Sequence, residues 1–151
     1  MAVLYDTNIL FAIARDPSQE QIIRNKVNPN HEQEVISIVV VAELWSLVRQ
    51  NGWGAKRLVQ VETLLQKMVV IRIDSDLLVD RYVEIDVFSQ GKNSEKRLPD
   101  LNKSARNMGK NDLWIAATAS LFNLQLITTD GDYDHLVTTF LRLSKFPLPL
   151  F

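Results

Sequence analysis

The sequence predicts an α/β fold of three layers, α/β/α, built on a parallel sheet of four or five strands. Three observations carry this. Short apolar, β-branched runs alternate with longer stretches of helical periodicity, in the order β-α-α-β-α-α-β-α-α-β-α. Strands separated in sequence by helices pair in parallel and are covered on both faces. The 151 residues, 46% hydrophobic and 23% charged, suit a single globular domain over 1–151. A chain of that size buries roughly 68–70% of its unfolded surface.

The first strand is Ala2 to Tyr5, an apolar run that stops at Asp6-Thr7-Asn8, a group of helix-capping residue types. Asn8 to Arg15 reads as a helix with Ile9, Ala12 and Ile13 on one face. Asp16-Pro17-Ser18 breaks it, and Pro17, tolerated in a first turn, opens a second helix reaching Val27. A turn at Asn28-Pro29-Asn30-His31 precedes the β-branched run Val35 to Val41, the second strand, which blurs into a helix through Ala42-Glu43-Leu44-Trp45 to Gln50. Gly52 and Gly54 end that helix. Ala55 to Lys67 places Leu58, Val61, Leu64 and Leu65 at helical spacing. Val69 to Ile73 is the third strand, and Asp74-Ser75-Asp76 caps a helix to Ser89.

Gly91 to Lys110 is polar and carries six basic residues (Lys92, Lys96, Arg97, Lys103, Arg106, Lys110) against Glu95 and Asp100. A loop so long within a compact domain is functional or disordered. A helix from Asp112 to Asn123 and a short strand, Gln125 to Thr128, follow. The last segment, Thr138 to Phe151, is mixed. It holds room for one more strand, and its tail of Phe146, Leu148, Leu150 and Phe151 is expected to pack on the domain.

Composition removes several chemistries. Without Cys there is no thiol catalysis and no thiolate metal site. A net charge of −1 offers no overall basic field for a polyanion. Any such site is then a local patch or uses a metal ion. No apolar run approaches the roughly 18 residues of a membrane helix. The first residues lack the basic region of a signal peptide. A soluble, cytoplasmic protein is expected.

Three acids fall at related places. Asp6 follows the first strand, Asp130 follows the Gln125–Thr128 strand, and Asp112 opens a helix. Ligand sites of open parallel sheets lie beyond the carboxyl ends of the strands, so Asp6 and Asp130 point to one edge. Glu43, in the helix after the second strand, can reach the same edge. Converging carboxylates repel unless a cation joins them. Hard ions such as Mg²⁺ and Mn²⁺ take oxygen ligands and pair readily with phosphates. A metal here would lower the pKa of a bound water, which attacks phosphorus in line, and would stabilise the leaving oxygen.

These residues carry a resemblance. Asp6-Thr7-Asn8, Ala42-Glu43-Leu44, Asn111-Asp112-Leu113-Trp114-Ile115-Ala116-Ala117 and Thr128-Thr129-Asp130 resemble, in order and context, the four acidic motifs of PIN-domain ribonucleases. The short chain looks most like the VapC-type toxins of toxin–antitoxin pairs. The resemblance implies a PIN-like fold, a Mg²⁺- or Mn²⁺-dependent endoribonuclease, a homodimer, and an antitoxin partner that covers or blocks the site. It implies structured RNA such as tRNA or rRNA as substrate, leaving 5′-phosphate and 3′-hydroxyl ends. Asp6, Glu43, Asp112 and Asp130 become the metal-coordinating acids. Thr7, Asn8 and Thr128 or Thr129 become their hydrogen-bonding support. The stretch from Lys92 to Lys110 is longer than the family's usual approach to its third motif, so substrate contacts there do not carry over.

Plainer readings stand beside these. Asp6 and Asp112 suit helix N-termini, and Asp130 suits a turn before Gly131. Asp132 is read as a further ligand or as part of a solvated face; Asp134 and His135 are read as surface residues. Lys92, Lys96, Arg97 and Lys110 either grip RNA phosphates or are simply solvated. Trp45 and Trp114 are assigned to the core, and Trp53 to RNA or partner contact. Two alternative functions remain: an RNA-processing nuclease without antitoxin, and an inactive RNA- or protein-binding module. An aspartyl phosphatase is disfavoured because Asn8 stands where a second Asp belongs.

Overall fold

The computed structural model describes residues 1–91 and 108–150. Strands β1 (Val3–Tyr5), β2 (Glu34–Ser37), β3 (Val69–Ile71), β4 (Gln125–Thr128) and β5 (Arg142–Lys145) form one parallel sheet in the order β3-β2-β1-β4-β5. The helices are α1 (Thr7–Arg15), α2 (Glu20–Val27), α3 (Ile38–Gln50), α4 (Ala55–Gln66), α5 (Asp76–Ser89) and α6 (Lys110–Leu121), with a 3-10 turn at Gly131–Leu136. The α/β class and the five-stranded parallel sheet agree with expectation.

Successive residues of a strand point to opposite faces. Leu4 and Tyr5, Ile36 and Ser37, and Leu126, Ile127 and Thr128 are all buried, so the central strands are covered on both sides by the flanking helices. In α3, Val40, Leu44 and Val48 recur at a spacing of four and are fully buried. In α6 the buried set Leu113, Ile115, Ala116, Ala117 and Ala119 runs most of the way round the helix, which packs against both α3 and α5. Its small side chains permit that close approach on several sides.

The strand order positions the site. β1, β2 and β3 progress toward one edge, and the chain then returns to place β4 on the other flank of β1. Chain direction across the sheet therefore reverses between β1 and β4, and a crevice opens beyond their carboxyl ends. β1 delivers Asp6 there and β4 delivers Asp130. The two strand ends are tied by the Asp6 amide, which donates to the Ile127 carbonyl at 2.9 Å. Tyr5, immediately before Asp6, is fully buried, and its hydroxyl donates to Glu34 Oε2 at 2.7 Å.

Some boundaries differ from expectation. The expected strand Val35 to Val41 divides at Ser37. The Ser37 hydroxyl accepts the Val39 amide at 3.1 Å, and Val39, Val40 and Val41 form the first turns of α3. β-Branched residues cost a helix only a few tenths of a kcal/mol each, so a good cap and a buried face override them. Pro17 does not open α2. The Asp16 carboxylate accepts the Ser18 amide and hydroxyl, which closes a separate turn, and the helix starts at Glu20. β3 ends at Ile71, two residues early. α6 begins at Lys110, so Asp112 is its third residue rather than its opening one. The final strand is β5. Beyond it Leu150 is buried, Phe146 half-buried and Leu148 exposed. Lys92, Lys96 and Arg97 lie outside the described residues, as does Phe151.

Candidate functional site

Asp6 sits at the junction of β1 and α1 in an extended conformation and caps α1. Its Oδ1 accepts the Thr7 amide at 2.8 Å and its Oδ2 accepts the Thr128 hydroxyl at 2.6 Å. Capping and site membership are thus not rivals for this residue: one carboxylate does both. Thr128 ends β4 and is fully buried. Its oxygen also accepts the Asp130 amide at 3.0 Å, so Thr128 couples the two acids that terminate adjacent strands. Asp130 in turn accepts the Asp132 amide at 2.9 Å. Glu43 projects from the second turn of α3, and its Oε1 accepts the Thr7 hydroxyl at 2.7 Å. This is the partner that a half-buried Glu requires. Asp112, near the start of α6, takes its negative charge to the favourable end of that helix.

All four acids line one open cleft of about 550 Å³, with Thr7, Asn8, Ser46, Gln50 and Asn111 among its walls. One carboxylate oxygen each from Asp112, Asp130 and Asp132 lies within 4.8 Å of the others. Asp132, left open from sequence, therefore belongs with the cluster. Asn8 and Thr129 meet at the rim, where the amide approaches the hydroxyl at 3.5 Å. Lys110 is exposed, two residues from Asp112.

The electrostatics follow from this crowding. Burial raises the Asp6 carboxyl above its ordinary value, and Glu43 and Asp130 add to that, while the Thr128 and Thr7 hydrogen bonds oppose it. Asp112 is pushed up to about 6, first by burial and then by the charge of Asp6, with Asp130 and Asp132 behind it. Clustered carboxylates whose ionisation is resisted in this way form an all-oxygen donor set suited to a hard divalent cation.

The other candidates fall outside. Asp134 pairs with Lys145 at 2.6 Å on the surface. His135 Nε2 is 2.8 Å from the Ser89 hydroxyl, and its ring stacks on Phe88. Trp114 packs on Tyr82, with centroids 4.2 Å apart. Trp53, expected to meet RNA or a partner, stacks on Phe11 at 5.6 Å and lies under the Arg57 guanidinium. One residue was missed. Tyr133 is fully buried beneath the cluster, and its hydroxyl donates to Asp112 Oδ1 at 3.1 Å. In sequence it reads as an ordinary core aromatic.

The family model of the PIN domain matches residues 3–137, which spans every motif and all four acids. The chain belongs to the PIN domain family. The fold of this PIN domain recurs in solved toxin–antitoxin structures. A chain of DNA-bound VapBC from Salmonella typhimurium is 19% identical at a TM-score of 0.70, with 96% of this chain and 98% of that one covered. A chain of VapBC-1 from nontypeable Haemophilus influenzae is 23% identical at 0.68, with the same 96% and 98% coverage. VapC20 of Mycobacterium tuberculosis, described as a toxin that cleaves the sarcin-ricin loop, is 14% identical at 0.58, covering 89% and 95%. No curated protein matches the chain in sequence.

Proposed function

We infer that this PIN domain is a metal-dependent endoribonuclease that hydrolyses RNA phosphodiester bonds, and that it serves as the toxin of a toxin–antitoxin pair. The observation that carries the reading is the convergence of Asp6, Glu43, Asp112 and Asp130 in one cleft at the β1/β4 reversal. The toxin role is supported by the names of its structural relatives, VapBC complexes and an RNA-cleaving VapC. The VapBC names support an antitoxin as partner; a second copy of the chain and a cytoplasmic setting are the further expectations of the family resemblance. None of the described helices is long and apolar enough to cross a membrane.

Asp6, Asp112, Asp130 and Glu43 would hold Mg²⁺ or Mn²⁺, with Asp132 at the exposed side. A bound ion of this kind supplies charge neutralisation at a phosphate and a water acidic enough to act near neutral pH. The chain's own part is arrangement. Thr128 and the Thr7 amide fix both oxygens of Asp6, and Thr7 fixes Glu43 from the same turn of α1. Asn8, Ser46, Gln50 and Asn111 give the cleft polar, uncharged walls that can face a ribose–phosphate chain without repelling it.

Asp6→Asn and Asp112→Asn should each abolish RNA cleavage while circular dichroism stays native, and each should abolish growth arrest on expression. Retained Mg²⁺-dependent cleavage in either purified variant would overturn the assignment.

A further inference from the structure

Tyr133 is the third residue of the Gly131–Leu136 turn and has no exposure to solvent. A buried phenol needs a partner for its hydroxyl. Here the hydroxyl donates to Asp112 Oδ1 at 3.1 Å, and its oxygen stands 3.5 Å from Asp6 Oδ1. The two acids arrive from different elements, Asp6 from the end of β1 and Asp112 from α6. Phenylalanine would fill the same space as the tyrosine ring. What the hydroxyl adds is a proton aimed between two carboxylates that would otherwise repel.

The geometry points to Tyr133 as a positioning residue of the acidic centre, one whose hydroxyl gathers Asp6 and Asp112 and turns Oδ2 of Asp112 toward a divalent cation. On Asp112 the hydroxyl occupies Oδ1 and leaves Oδ2. On Asp6, Oδ2 is held by Thr128, while Oδ1 is shared between the Thr7 amide and Tyr133. The role rests on the metal-binding reading above and adds to it a residue outside the four acids.

The test is Tyr133→Phe, read by Mn²⁺ titration calorimetry on the RNA-free protein. Asp112→Asn and wild type are run beside it. Residues that orient metal ligands typically contribute about 10–100-fold in affinity, and Tyr133→Phe is expected to weaken Mn²⁺ binding by that factor. Its low-temperature Mn²⁺ electron paramagnetic resonance spectrum should also broaden, as the ligand set loses its single arrangement. Mn²⁺ affinity equal to wild type, whatever the change in melting temperature, overturns the role. If Asp112→Asn loses Mn²⁺ while Tyr133→Phe keeps it, the metal reading survives and only the positioning role falls. If wild type takes up no Mn²⁺, both fall. Should Tyr133→Phe not fold, a Mn²⁺-loaded crystal structure of the wild type decides: a hydroxyl still on Asp112 Oδ1 supports the role, and one turned away ends it.

Discussion

Asp112→Asn should make the metal-free protein more stable at neutral pH while destroying its activity. The carboxyl of Asp112 rises from an ordinary 3.8 to about 6 in the folded chain, with burial as the leading cause and Asp6 next. Each unit corresponds to 1.36 kcal/mol, so a shift of about two units sets a ceiling near 3 kcal/mol. Asp112 is only half-buried, and solvent screening brings this down to about 1–1.5 kcal/mol. The sign follows from proton linkage. A folded-state value above the unfolded one means that the native chain binds the proton more tightly. The wild type is therefore unpenalised below about pH 4, loses stability as the pH climbs through about 6, and carries the full penalty above that. Asparagine carries no charge at any pH and still accepts from Tyr133. In EDTA at pH 7.5 the variant should melt about 2–6 °C higher, from a sensitivity of roughly 2–4 °C per kcal/mol at this chain length. The two melting curves should converge near pH 4. Saturating Mg²⁺ should reverse the order, since ligand at 100 times its Kd adds about 2.7 kcal/mol to the form that binds it. A gap that does not change with pH, or a variant less stable than wild type at pH 7.5, refutes the reasoning.

Two further outcomes test the sequence-to-structure links. Ser37→Ala removes the side-chain acceptor for the Val39 amide at the start of α3. It should cost about 1 kcal/mol in urea unfolding and lower the activity through Glu43, six residues on. Neutralising Lys92, Lys96 and Arg97 together, a prediction that rests on sequence alone, should weaken RNA binding and flatten its log–log salt slope by about 2 for single-stranded RNA. An unchanged slope would return that stretch to the solvated reading.

The readable parts of this molecule are those where local chemistry and tertiary environment agree. The run ending at Tyr5 is buried on both faces, and the capping trio after it does start a helix, so Asp6 could be placed at a strand end from sequence alone. Asp130 was legible for the same reason at β4. Val39 to Val41 were misread because β-branching favours a strand locally, whereas the sheet's hydrogen bonding ends at Ser37 and the Ser37 hydroxyl begins a helix. What no local pattern encodes is the strand order. That order places β4 beside β1, and the same adjacency brings the Thr128 hydroxyl to Asp6 and sets Tyr133 beneath Asp6 and Asp112.

The supporting shell therefore follows from topology rather than motif, and it explains why the acids are tolerated before any cation arrives. Asp6 is held in a buried position by two strong hydrogen bonds that favour its charged form, against the burial and the like charges that disfavour it. Asp112 lacks that support. Among the described residues its one side-chain donor is Tyr133, and its carboxyl is pushed up to about 6. Charge strain in the cluster thus concentrates on the acid that enters from α6, and that is where a bound cation would return the most stability. Asp112, more than Asp6, should then set how far metal binding stabilises the fold. Asp6→Asn should narrow the Mg²⁺-induced rise in melting temperature less than Asp112→Asn does, although both should abolish cleavage.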